Sequence, residues 1–219
     1  MIELPLAQGA AIATGMAPAE RLQLEQRARL LAWGGIGYHV LEFAIALLAG
    51  IAAGSIALIG FGADSLIEAL AGFIVLWLFT GSRLGSERAE RRAQQLIACS
   101  FFVLAAYVGI ESLRSLVGAH EPKASWLGIG LAAFTAPTMP LLAIVKRRVG
   151  EKLQSSAAVK EASQTQLCAY LSIALLFGLL ANALFGWWWA DPAAALVIAA
   201  VAVREGRESW RGEGCCDSC

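Results

Sequence analysis

The chain has 219 residues, 58% of them hydrophobic and only 16% charged, and its 17 Lys and Arg balance its 17 Asp and Glu. With a mean hydropathy of +0.64, this composition argues against a soluble single domain, and the zero net charge gives no sign of a nucleic-acid partner. An all-α, multi-pass integral membrane protein is expected, with the lipid bilayer as its first partner.

Residues 1–29 carry Glu3 and no Lys or Arg before Arg21. They lack the basic start of a secretory signal, so no cleavage is expected. From Pro18 the stretch PAERLQLEQRARLL puts proline in a first turn and charges on one face, which predicts a solvated lead-in helix running into the first span. Six apolar segments follow, at 30–51, 55–79, 94–117, 125–145, 157–184 and 188–203, the last being the shortest. They predict a six-helix transmembrane domain over 30–206 and a tail at 207–219. Fifteen of the 17 Lys and Arg fall before the first segment, between the second and third, between the fourth and fifth, or after the sixth. Only Arg114 and Lys123 fall on the other side. This positive-inside asymmetry puts both termini in the cytoplasm, the membrane being most simply a plasma or inner membrane.

The first segment contains His39 and Glu42 at i, i+3, two polar groups on one helix face. An intramembrane ionisable residue is a functional candidate, and a hydrogen bond to a neighbouring helix accounts for it equally well. Metal, proton-carrying and structural roles therefore stay open for both. Gly34, Gly35 and Gly37 allow another backbone to come close.

The second segment, SIALIGFGADSLIEALAGFIVLWLF, is apolar enough to cross a bilayer and yet carries Asp64 and Glu68 near its middle. Each ionised side chain there costs about 2.5–3.5 kcal/mol on insertion scales. At i, i+4 the two share one face, so a single cation or a single wet cavity can serve both. Paired carboxylates suit a divalent metal.

Cys99 lies in the third segment, and Glu111 and Arg114 at its end are spaced for an ion pair. Pro137 and Pro140 in the fourth each remove an intrahelical hydrogen bond, which predicts a kink or local unwinding. KRRVGEKLQSS then reads as a basic connecting loop. In the fifth segment Glu161, Gln164, Thr165 and Cys168 lie along one stripe, which must face protein or water rather than lipid. FGWWWADP supplies an interfacial tryptophan belt and, at Asp191-Pro192, a helix start. Cys215, Cys216 and Cys219 in the tail GEGCCDSC are spaced to capture a soft metal as thiolates; incidental thiols or lipidation account for them as well.

At GADSLIEAL the chain resembles the second transmembrane helix of the cation diffusion facilitator family, whose members move zinc and related divalent metals out of the cytoplasm. The resemblance runs over about residues 30–206. It includes the six-span topology, GWWWADP before the sixth helix, and the series Glu161, Gln164, Cys168, Ser172 in the fifth. It implies that Asp64 and Glu68 are metal ligands, completed from the fifth helix at Gln164 and Cys168. The family usually has His or Asp at the first of these two positions and Asp at the second. Cysteine is a good ligand for zinc and softer metals, whereas glutamine is a poor one. His39, Glu42 or Glu161 are the candidates to supply what Gln164 lacks, or to couple protons. Many members continue into a cytoplasmic metal-binding domain that strengthens their dimer; here dimerisation is expected through membrane helices, with the cysteine tail as a substitute metal acceptor.

The expected function is secondary transport, not catalysis. Zinc, or a neighbour such as cadmium, leaves as substrate in exchange for protons, and no cofactor is needed. Metal and protons would compete for the same carboxylate and thiolate atoms. Two other readings fit the residues less well. One is a non-transporting metal-binding or scaffold protein. The other is a membrane metalloenzyme using Asp64, Glu68 and His39, for which no nucleophile or zinc-hydrolase motif is present.

Overall fold

Lipid offers a spanning backbone no hydrogen-bond partner, so each apolar run must close its own bonds as a helix. The computed structural model describes residues 18–78, 87–118, 121–153 and 155–211. Six helices follow in order: α1 Pro18–Ala53, α2 Ile56–Leu78, α3 Glu87–Val117, α4 Trp126–Lys152, α5 Ser156–Phe185 and α6 Ala190–Arg211. Among the described residues there is no strand. The fold is all-α, and five helices, α1 to α5, are long and apolar enough to cross a membrane. The sixth falls short because Asp191 opens it and REGRESWR closes it, leaving few apolar residues between. The tail cysteines Cys215, Cys216 and Cys219 lie outside the described residues.

The helices overrun the apolar segments, because bilayer thickness limits the apolar run and not the helix. The lead-in from Pro18 is continuous with α1, as expected. The basic connector is a correction. Lys146 to Lys152 are the last two turns of α4, and only a short turn separates them from Ser155, whose side chain caps α5 by accepting from the Ala158 N–H. Lysine, arginine and glutamate are good helix formers, so a charged run does not by itself end a helix. A second correction concerns the prolines. α4 passes through Pro137 and Pro140 without losing its helical assignment, so the expected unwinding does not occur. Neighbouring helices hold such turns in membrane proteins.

The most extensive helix pairs are α1 with α2, α4 with α5, and α3 with α6. Because α1 also meets α4 and α2 also meets α5, the four helices α1, α2, α5 and α4 close a ring. The α3–α6 pair packs outside it, against α2 and α5. α2 is the centre of the bundle: 67% of its span is buried, against 28–44% for the other four spans. Phe61, Leu58, Val108, Leu175, Leu179 and Ile198 fill the apolar core. Leu41, Leu48, Val103, Phe134 and Phe177 point outward as an apolar surface suited to lipid. Trp187 and Trp189, half exposed and stacked at 5.7 Å, form the expected belt.

Glycines set how closely α1 and α2 approach. A Cβ on Gly50 would stand 2.8 Å from Ile59, one on Gly62 3.1 Å from Ala46, and one on Gly72 3.2 Å from Ile36. The two helices thus touch nearly backbone to backbone at three heights. Between them the chain turns through Gly54, whose φ of 68° favours glycine. Ser55 then caps α2 by accepting from the Leu58 N–H at 3.1 Å. The carboxylate of Asp191 is buried at this turn, accepting from the Ser55 hydroxyl and, at 3.3 Å, from the Ala57 N–H. Asp191 does sit in the first turn of α6, as its sequence suggests, but its side chain satisfies the start of α2. The same end is tied by the Lys123 N–H to the Ala53 carbonyl at 2.7 Å and by Asn182 Nδ2 to the Pro122 carbonyl at 2.8 Å.

Candidate metal centre

Asp64 and Glu68 stand one turn apart on α2, facing the interior of the ring. Cys168 reaches toward them from α5. One ligand atom from each of the three lies within 4.8 Å of the other two, and all three residues are buried. Ligands of one zinc ion at about 2.0–2.3 Å stand roughly 3.3–3.8 Å apart. Among the described residues Glu68 Oε2 has no hydrogen-bond partner; it lies 3.5 Å from His39 Nδ1, outside hydrogen-bond geometry. A buried carboxylate oxygen without a donor is costly, and a cation is what such an oxygen suits.

Beside the cluster, α1 contributes a polar layer. His39 Nδ1 is 3.2 Å from Glu42 Oε2, and its Nε2 is buried with no hydrogen-bond partner among the described residues. Glu42 is held from three helices: it accepts from Thr135 at 2.6 Å, from Ser65 at 2.9 Å and from Tyr38 at 3.2 Å. Tyr38 and Thr135 also share a 2.8 Å hydrogen bond. Glu42 is thus a well-satisfied carboxylate, in contrast to Glu68. Glu205 on α6 is buried too. Three carboxylates, Asp64, Glu68 and Glu42, thus lie around one small volume beside His39 and Cys168.

The remaining members of the α5 stripe divide. Gln164, one turn before Cys168, is buried. Thr165 and Glu161 both accept from Lys146 of α4, at 3.1 and 2.7 Å, so Glu161 sits in a buried ion pair and not in the three-residue cluster. Ser172 donates to the Ala169 carbonyl at 2.8 Å. On α3, Glu111 and Arg114 form the expected ion pair at 2.5 Å, and Cys99 is exposed.

A model of the cation efflux transmembrane domain matches residues 36–211, most of the chain. The chain belongs to the cation efflux family. Comparison with individually characterised proteins gives no significant match. The cation efflux domain, the spans and the buried charges together make this chain a multi-pass membrane transporter of metal cations.

Sequence reasoning about this cation efflux protein overlooked Lys146, Thr135, Ser65 and Tyr38. A signal for two of them exists in α4, whose buried residues run Gly128, Ala132, Thr135, Met139, Ala143, Lys146, Gly150. Those steps of three and four trace one helix face. Lys146 lies on that face, whereas Arg147 and Arg148 do not, so its place in the basic run concealed it.

Proposed function

We propose that this protein exports zinc or a close neighbour such as cadmium from the cytoplasm in exchange for protons, with Asp64, Glu68 and Cys168 holding the ion midway and Gln164 or water completing its shell. The observation that carries the reading is the convergence of two carboxylates and a thiol, from two helices, within 4.8 Å in the buried interior. The donor set is mixed: oxygen ligands alone would suit magnesium, calcium or manganese, and the sulfur favours zinc and cadmium. Proton exchange follows from the chemistry of the ligands, since a carboxylate or thiolate binds metal only after losing its proton. The fifteen-to-two distribution of basic residues supports cytoplasmic termini and hence the direction of export. The family resemblance supports a homodimer joined through its membrane helices.

Purified protein in sealed vesicles with a pH-sensitive dye inside tests this. Zinc entering should alkalinise the lumen, because protons leave in exchange, and Asp64→Asn should abolish both signals while the protein remains folded. Zinc flux without proton movement would reject the exchange, and unchanged flux in Asp64→Asn would reject the site. A protein that binds zinc tightly but moves none would instead be a metal-binding scaffold.

A further inference from the structure

Among the described residues, Lys146 is the cationic side chain buried deepest in the ring helices. Only 4% of the residue is exposed, and its Nζ donates to Glu161 at 2.7 Å and to Thr165 at 3.1 Å. Two glycines make room for the pair. A Cβ on Gly35 of α1 would stand 3.0 Å from Lys146 Nζ, and one on Gly72 of α2 would stand 3.5 Å from Glu161 Oε1. The pair therefore fills the middle of the ring, with all four helices around it.

Its position relative to the metal cluster follows from helix geometry. Gly72 is one turn beyond Glu68 on α2, Glu161 is two turns before Cys168 on α5, and Gly35 is one turn before His39 on α1. At 1.5 Å per residue these offsets are about 6–10 Å, all toward the same end of the bundle. That end carries Arg147, Arg148 and Lys152 of α4 and the basic lead-in of α1, so the positive-inside rule makes it the cytoplasmic end. The ammonium group therefore stands at a depth between the cytoplasmic end and Asp64, Glu68 and Cys168.

A carboxylate and a hydroxyl within reach of one cation make a weak oxygen site for a divalent metal. Lysine is suited to guard such a site, because its ammonium is a point charge on a flexible stem that can leave and return. We propose that Glu161 and Thr165 form a second station for the transported cation on the cytoplasmic side of the cluster, and that Lys146 is a tethered cation closing it until the ion displaces it. This rests on the reading of the chain as a divalent-metal exporter. It differs from the main site in residues, depth and donor chemistry.

The test is zinc binding measured by calorimetry on the full chain in detergent at fixed pH, with Cys215, Cys216 and Cys219 replaced by Ser throughout so that the tail takes no metal. Lys146→Met should bind one more equivalent of zinc per chain than the parent, and Lys146→Met/Glu161→Gln should lose it again. Lys146→Gln, whose amide still donates to Glu161, should gain the same equivalent and is the variant to read if Lys146→Met does not stay monodisperse. Adding Asp64→Asn separates this from the main site: it should remove the parent's equivalent and leave the one that depends on Glu161. Loss of the parent's equivalent with no gain in either Lys146 variant would overturn the station alone. A Glu161-dependent gain alongside zinc binding that ignores Asp64→Asn would overturn the main site and keep the station. Aggregation of both Lys146 variants, while Lys146→Met/Glu161→Gln stays folded and binds like the parent, would show a pair that only neutralises itself and would also overturn the station.

Discussion

Asp191, in the first turn of α6, accepts hydrogen bonds from Ser55 and from the Ala57 N–H, and so completes the start of α2 from a different helix. Hydrogen bonds to a charged group contribute about 1.5–3 kcal/mol, and the first N–H groups of a buried helix need such an acceptor. Asp191→Ala should therefore lower stability by about 2 kcal/mol or more, and Asp191→Asn, which keeps one acceptor oxygen, by less. Thermal unfolding in detergent would read the order parent, Asn, Ala. A coincident melt for all three would mean the clamp carries no stability.

Cys168 decides metal preference if it is a ligand. Cys168→Asp should keep zinc binding and lower the preference for cadmium, because an oxygen replaces the soft sulfur. Cys168→Ala should lose most affinity for both metals. Calorimetric titrations with zinc and cadmium at one pH would compare the three proteins, and undiminished binding by the Ala variant would leave the thiol as packing only.

His39 bridges the polar layer to the cluster, standing 3.2 Å from Glu42 and 3.5 Å from Glu68. Groups that orient a metal ligand typically contribute roughly 10- to 100-fold in affinity. His39→Ala should weaken zinc binding by that factor with the stoichiometry unchanged, and His39→Gln should recover part of it. A drop in stoichiometry would instead make His39 a ligand.

Thr135 donates the shortest of the hydrogen bonds to Glu42, at 2.6 Å. Thr135→Val keeps the shape and removes the donor. Leaving a buried acceptor short of a partner costs about 1–3 kcal/mol, so this variant should melt earlier than the parent while retaining zinc affinity within a few-fold. Lost zinc binding with unchanged melting would place Thr135 in the metal site rather than in the scaffold.

These expectations also mark where local pattern stops being informative. Asp64 and Glu68 stand out in the sequence because charge inside an apolar span is expensive, so their presence demands a reason. Cys168 is legible as part of a polar stripe at helical spacing. The extension of α3, α4 and α6 past their apolar runs is not legible, since helix formers and topology signals are the same residues: Arg147, Arg148 and Lys152 are both. Least legible is the choice of partner. Nothing in the neighbourhood of Glu42 in sequence announces Thr135, 93 positions away, and nothing near Asp191 announces Ser55, 136 positions back. Those pairings are made by the way α1, α2, α4 and α6 pack.

The close approach of α1 and α2 has a mechanical consequence. Helices that interlock through Gly50, Gly62 and Gly72 cannot slide without side chains colliding with backbone, so they behave as one stiff hairpin. On the facing side, Gly150 of α4 would place a Cβ 3.0 Å from the Val159 backbone of α5, which locks the second hairpin near its turn. Across α1 and α4 the two hairpins are joined by polar and apolar contacts together: the hydroxyls of Tyr38 and Thr135 meet at Glu42 and Lys146 lies against Gly35, while Tyr38 stacks on Phe134 and Leu24 and Ala28 pack with Leu153 and Ala158. Polar partners can be traded for water one at a time, whereas an interlocked apolar seam must open all at once. The two hairpins thus meet along a partly polar line, and the carboxylates of α2 and the thiol of α5 that face one another belong to opposite hairpins.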